Sequence, residues 1–209
     1  MPLNNDQIEL INSFLVKNEV VFDGVRHEVI DHIASDIEHN YENVAFHEAI
    51  KIVLQKWQSQ IKLSESIWVS TWSSFPVLIL KKLKNLLQPF GILFISLLII
   101  LSLLLSYYPA ITAKINKNIS YEIGYLTWVA ISTGFGLNLF FSKGHTTYKY
   151  VFKRILYVIF MNSIIVFSDS ANKDNVLTSI LIINTISSIF LVKCYKAHFK
   201  FLKDNLLNA

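Results

Sequence analysis

Apolar positions follow two different patterns along this chain. Through about residue 64 they recur every three or four residues, and from residue 89 onward they run nearly unbroken. The first pattern predicts short amphipathic helices, each with one buried stripe. Ile8, Ile11, Phe14 and Leu15 mark the first, which Asn4 or Asn5 can cap, with Gln7 placed to complete a capping box after Asn4. Val29, Ile30, Ile33, Ala34, Ile37 and Tyr41 mark a second helix, from about Val25 to Tyr41. Phe46, Ala49, Ile50, Val53, Leu54 and Trp57 mark a third, with the cleanest periodicity of the three. Three such stripes bury best against one another, as a small helical head over residues 1–64.

The second pattern predicts membrane spans. Residues 89–108 carry no charge and thirteen Leu, Ile or Phe side chains. At 1.5 Å per residue their length matches a hydrocarbon core of about 30 Å. Further spans are expected at about 121–141, 151–167 and 176–192. The third is the weakest, because Lys153 and Arg154 shorten its apolar core and must snorkel to its cytoplasmic end. Ser132 and Gly136, four apart in the second span, form a small-xxx-small pair that permits close helix approach or simply packs. Between head and first span, residues 65–88 mix Trp68, Trp72 and Phe75 with Lys81, Lys82 and Lys84. That mixture predicts an amphipathic helix lying in the cytoplasmic interface. The tail, 194–209, alternates aromatic and basic residues and is expected to form a short helix along the inner face.

Taken together, the expected fold is all-α, a small cytoplasmic three-helix head joined to a four-helix transmembrane bundle. Composition agrees: 53% of residues are hydrophobic, only 16% are charged, and the mean hydropathy is +0.43. Loop charges set the orientation. Lys81, Lys82 and Lys84, then Lys143, Lys149, Lys153 and Arg154, then Lys193, Lys196, Lys200 and Lys203 fall on one side. The other side has Lys114, Lys117 and Lys173. The excess places both termini and the middle loop in the cytoplasm. With no apolar segment near its start to act as a signal peptide, the chain is expected to insert by its first span. The net charge of +4 is small and sits beside apolar runs, which suits membrane-edge positioning and argues against nucleic acid as a partner. One cysteine, Cys194, excludes an intramolecular disulfide framework.

The residues with chemical potential are few. Glu28, His32, Asp36 and His39 project along one flank of the second helix, with Asp31 nearby. Imidazole and carboxylate are competent metal ligands, but a polar flank with i,i+4 pairs, serving as a partner-contact surface, is the favoured reading; no metal and no cofactor is expected. Asn138, Asn162 and Asn184 fall within or near the spans, where their amides bond across helices or line a polar path. No acidic, basic or histidine side chain is expected at mid-membrane depth, which argues against proton coupling. Asp169 and Asp174 in the outer hairpin, the sequon at Asn118 and acylation of Cys194 all have plainer readings as loop and packing residues. No nucleophile, acid and base converge at one depth, so no enzyme is expected.

The string Glu28-Val29-Ile30-Asp31-His32-Ile33, followed by Asp36-Ile37-Glu38 and by Phe46-His47-Glu48-Ala49-Ile50, resembles the HAAS-type module, a helix-turn-helix-associated alpha-helical signalling domain. The resemblance covers about residues 1–62 and extends to similar heads of multipass membrane proteins of Bacteroidota. Where many such modules stop their last helix with a Gly-x-Pro-like sequence, this chain has Trp57-Gln58-Ser59-Gln60. Some members are associated with PadR-like transcription regulators. The resemblance implies signalling or partner contact rather than catalysis, and a bacterial inner membrane as the location. The expectation is therefore a non-catalytic membrane adaptor, sensor or assembly factor. It would contact the lipid bilayer and a protein partner or a second copy of itself. The alternative is a small transporter or channel component with an Asn-lined path.

Overall fold

A computed structural model describes residues 2–67, 69–107, 121–166 and 173–206. These residues are predominantly helical, with seven helices and one β-hairpin, and they divide into two compact units. The first comprises residues 1–87 together with 144–147; the second comprises 88–143 and 148–209.

In the first unit, α1 (Asn5–Lys17) begins with the expected capping box. The Asn4 Oδ1 accepts from the Gln7 N–H at 2.9 Å, and the Gln7 Oε1 accepts from the Asn4 N–H at 2.8 Å. The helix ends at Asn18, and Glu19 follows in the left-handed region, with φ of 62°. The Val20 N–H returns to the Leu15 carbonyl and the Glu19 N–H to that of Val16, so the last carbonyls are satisfied in the Schellman manner. Val20, immediately after the turn, is fully buried. The α2 helix (Asp23–Asn40) and α3 (Phe46–Ile61) follow. The stripes read from the sequence face inward: Ile11 and Leu15, then Val29, Ile30, Ile33 and Ile37, then Ala49, Ile50 and Val53 are all buried.

The segment after α3 departs from expectation. Residues 63–76 form an antiparallel hairpin instead of the start of an amphipathic helix, β1 (Leu63–Ser66) pairing with β2 (Ser70–Pro76). Val69 and Pro76 are buried and Phe75 stacks on Phe22, so the hairpin is part of the head. The helix begins only at Val77, and it runs unbroken through Pro89 as α4 (Val77–Tyr107). Its first turns complete the head core with Ile79, Leu80, Leu83 and Leu87. The last piece of the first unit arrives from far along the chain. The His145 N–H donates to the Asp23 Oδ2 at 2.6 Å, and the Asp23 N–H donates to the His145 carbonyl at 2.7 Å. Thr146 and Thr147 are buried beside this reciprocal clasp.

The second unit contains the rest of α4 with α5 (Tyr121–Phe141), α6 (Thr147–Val166) and α7 (Lys173–Leu206). The α5 helix has the bounds expected for the second span, and the expected third and fourth spans lie largely or wholly in α6 and α7. The tail is no separate helix: α7 continues through it, at 34 residues or roughly 51 Å. Gly136 marks a close approach. A Cβ there would lie 3.2 Å from Leu156 Cδ2, so the bare glycine lets α6 come close to α5. Ser132, one turn earlier, is also buried. The expectations for Lys114, Lys117, Asn118 and Asp169 lie outside the described residues.

Among the described residues one helix, over Val77–Leu101, is long and apolar enough to cross a membrane, and only 17% of its most apolar window is buried within the protein.

Candidate functional site

The α2 flank was the leading candidate, and the fold gives most of its residues partners inside the head. Glu28 pairs with Lys82 on α4 at 2.5 Å, although both side chains stay largely exposed. The Asp36 carboxylate accepts from Asn40 Nδ2 at 2.7 Å and from Lys56 Nζ on α3 at 3.0 Å. The Asn40 hydrogen bond holds the Asp36 carboxyl below its ordinary range, opposed by partial desolvation and assisted by Lys56. His32 stacks on Trp57 of α3 with ring centroids 6.4 Å apart. His39 Nδ1 lies 2.8 Å from the Ser35 carbonyl oxygen of its own helix. Asp31, His32 and His39 remain exposed. The flank is therefore partly a seam between helices and partly open surface. Among the described residues no cluster of three or more His, Cys, Asp or Glu side chains is placed to hold a metal ion.

No known protein family, curated protein or solved structure matches this chain. Its chemistry rests on the arrangement of its own side chains.

A second polar cluster lies in the other unit, and no motif marks it. His198 of α7 is fully buried, with Nε2 2.8 Å from Ser142 Oγ. The Ser142 hydroxyl sits 2.5 Å from the Leu139 carbonyl and donates to it, closing the end of α5. Its single proton is then committed, so the His198 Nε2 must be the donor in the Ser–His bond. Lys149 Nζ donates to the Ser142 carbonyl at 2.6 Å. Burial, aided by the Lys149 charge, lowers the His198 pKa and favours the neutral ring. Burial likewise lowers the pKa of Lys149, with Lys153 contributing. A serine beside a histidine is also the start of a nucleophilic pair. Here the hydroxyl proton points to a carbonyl and the imidazole has no exposed face, so the arrangement works as a polar strut from α5 to α7. Cys194, one turn before His198, is buried too, which raises its thiol pKa to about 11 and disfavours the reactive thiolate.

The three asparagine candidates separate. Asn138 is exposed on its unit's surface, whereas Asn184 is buried, and neither its amide nitrogen nor its oxygen has a hydrogen-bond partner among the described residues. The Asn184 backbone carbonyl accepts from Ser188 Oγ at 2.8 Å, and Ser188 in turn accepts from Trp128 Nε1 at 2.6 Å. Asn162 lies in α6, with its side chain outside the described set. A small cavity of about 60 Å³ is lined by Trp128, Ser132, Phe152 and Ser188 among others.

Proposed function

We propose that this chain is a multipass membrane protein that holds a helical head at the cytoplasmic face as a non-catalytic adaptor, sensor or assembly factor. The observation that carries the membrane part is α4, whose apolar window is long enough to span and is scarcely buried by protein. Large apolar side chains on the other helices of the second unit support the further spans: Phe135, Leu137 and Phe140 on α5, Tyr157 and Phe160 on α6, and Ile189 on α7 are all exposed. So many large apolar side chains exposed on three helices are foreign to a water-facing protein. The loop charges support cytoplasmic termini, and the resemblance to HAAS-type modules supports a bacterial inner membrane.

The adaptor part rests on the head, which has a core of its own and resembles the HAAS-type signalling module. Its partner is a protein or a second copy of the chain. The test is photo-crosslinking in native membranes, with the crosslinker placed at exposed head positions on both faces, such as Asp31 and His39 on α2 and Gln55 on α3. The adaptor reading expects one protein to be captured repeatedly from the head. Capture from the second unit alone, or none at all, overturns it. A second reading, a small transporter or channel component, has the unpartnered Asn184 amide in its favour. Solute flux in reconstituted vesicles, lost on Asn184→Leu, would favour that reading.

A further inference from the structure

The three-helix part of the head, residues 1–64, is acidic with one basic groove. Residues 1–64 contain ten carboxylate side chains and five cationic ones. Two of the five cations are neutralised inside the head, Arg26 by Asp23 at 2.8 Å and Lys56 by Asp36 at 3.0 Å. The remaining three, Lys17, Lys51 and Lys62, all line a single open groove of about 1220 Å³ between the end of α1 and the outer face of α3. All three are exposed, and none has a carboxylate partner among the described ion pairs. Glu19 is the one acidic residue of the lining.

The groove also has an apolar component and a defined length. Phe14, Leu54 and Leu63 contribute to its wall, and Leu63 is 46% exposed. On α3 the lining residues Lys51, Leu54, Gln55 and Gln58 recur at i, i+3, i+4 and i+7, so one stripe of the helix faces the groove. The opposite stripe, Ala49, Ile50 and Val53, is spent on the core. Lys51 and Lys62 stand eleven residues apart, or about 16 Å along the axis, which is three helical turns. The groove is larger and more open than pockets for small molecules. Its dimensions suit a helix laid into it.

We infer that this groove is the docking site for an acidic amphipathic helix of a partner protein, about three turns long. Its apolar stripe would lie against Phe14, Leu54 and Leu63, and carboxylates near its two ends would meet Lys51 and Lys62. The proposal rests on the adaptor reading and moves the principal contact from the α2 flank to the α1–α3 face. Charge distinguishes this occupant from an anionic bilayer. A membrane plane meets the whole head, whose residues 1–87 and 144–147 hold eleven carboxylates against eight cations, whereas a short helix meets only the groove, with three lysines and one glutamate.

The test uses the full chain in nanodiscs of neutral phosphatidylcholine, against a displayed library of random 15-residue peptides. Enriched peptides are expected to carry Asp or Glu flanking a helical apolar stripe. The double variant Lys51→Glu with Lys62→Glu is expected to weaken them at least about tenfold. Lys51→Gln with Lys62→Gln should weaken them less, and Asp31→Asn not at all. Both lysines are exposed, so the variants should keep the wild-type circular dichroism. Peptides with Lys in place of their acids should recover binding to the Glu variant. No enrichment, enrichment without an acidic excess, or enrichment indifferent to both lysine pairs overturns the groove. Capture by phosphatidylglycerol vesicles that depends on Lys51 and Lys62, with no peptide enriched, also overturns it and assigns the site to lipid. A partner crosslinked in native membranes that survives the Glu variant rejects the groove and leaves the adaptor reading standing. A groove that selects acidic peptides with no head-dependent partner in native membranes rejects the adaptor reading instead.

Discussion

Glu19 holds a backbone conformation that glycine takes without cost. An L-residue in the left-handed region loses roughly 1–2 kcal/mol to the Cβ–carbonyl contact, partly offset by the entropy it saves in the unfolded chain. Its side chain is exposed. Glu19→Gly is therefore expected to stabilise the head by up to about 1 kcal/mol, read as slower amide exchange across α1 and α3. Asp36 makes the opposite kind of contribution. Its folded carboxyl is more acidic than the ordinary value of 3.8, chiefly through Asn40. The stabilisation it supplies is present above that ordinary value and is lost as pH falls through the lower, folded one. Asp36→Asn should leave a head whose stability changes less with pH below about 4, checked by amide exchange of α2 at a series of pH values. The Asp36–Lys56 pair spans twenty positions in sequence. Nothing local marks it, because it depends on how α2 and α3 pack. The same holds for Ser142 and His198, fifty-six positions apart.

At the scale of elements, the helices were largely legible and the junctions between them were not. A 3.6-residue periodicity is repeated many times within one helix, so α1, α2 and α3 declare themselves. The hairpin at 63–76 has no Asn-Gly or similar turn to announce it. Its Trp and Phe residues were equally suited to a membrane interface, which is why a helix was expected there. The first span was expected to begin at Pro89, where the apolar run opens. Pro89 lies inside α4 instead, one residue after the division between the two units. The two halves of α4 thus meet different surroundings. Leu83 is fully buried in the head, and Leu83→Ala should destabilise the head by about 2–5 kcal/mol, measured by its proteolysis in membranes. Leu98 lies near the centre of the proposed span, and Leu98→Asp adds roughly 2.5–3.5 kcal/mol to insertion. That change should appear as lost membrane fractionation with the head still protease-resistant. Between α5 and α6, Gly136→Leu would drive a side chain into Leu156 and should cost about 1–3 kcal/mol, read as a lowered Tm in detergent.

At the scale of the whole molecule, the proposed topology makes a sharp prediction. A reporter fused after Lys173 should behave as extracytoplasmic, and one fused after Lys143 as cytoplasmic. A cytoplasmic result at 173 would remove the four-span arrangement. Of the candidate sites, the α2 flank was visible because its residues share one helix. The basic groove was not, since it draws on α1, α3 and the start of the hairpin, and its meaning lies in which lysines the fold leaves without carboxylates.

The clasp between Asp23 and the His145 backbone has a consequence in time. During synthesis the segment up to residue 87 emerges first, but residues 144–147 belong to the same compact unit. At about 5–20 residues per second, they follow roughly 3–12 s later. Until then the Asp23 carboxylate lacks the backbone donor that completes its contacts. The ribosome must therefore deliver all of α5 before the head is whole, and the newborn head spends those seconds open to chaperones or to premature partners.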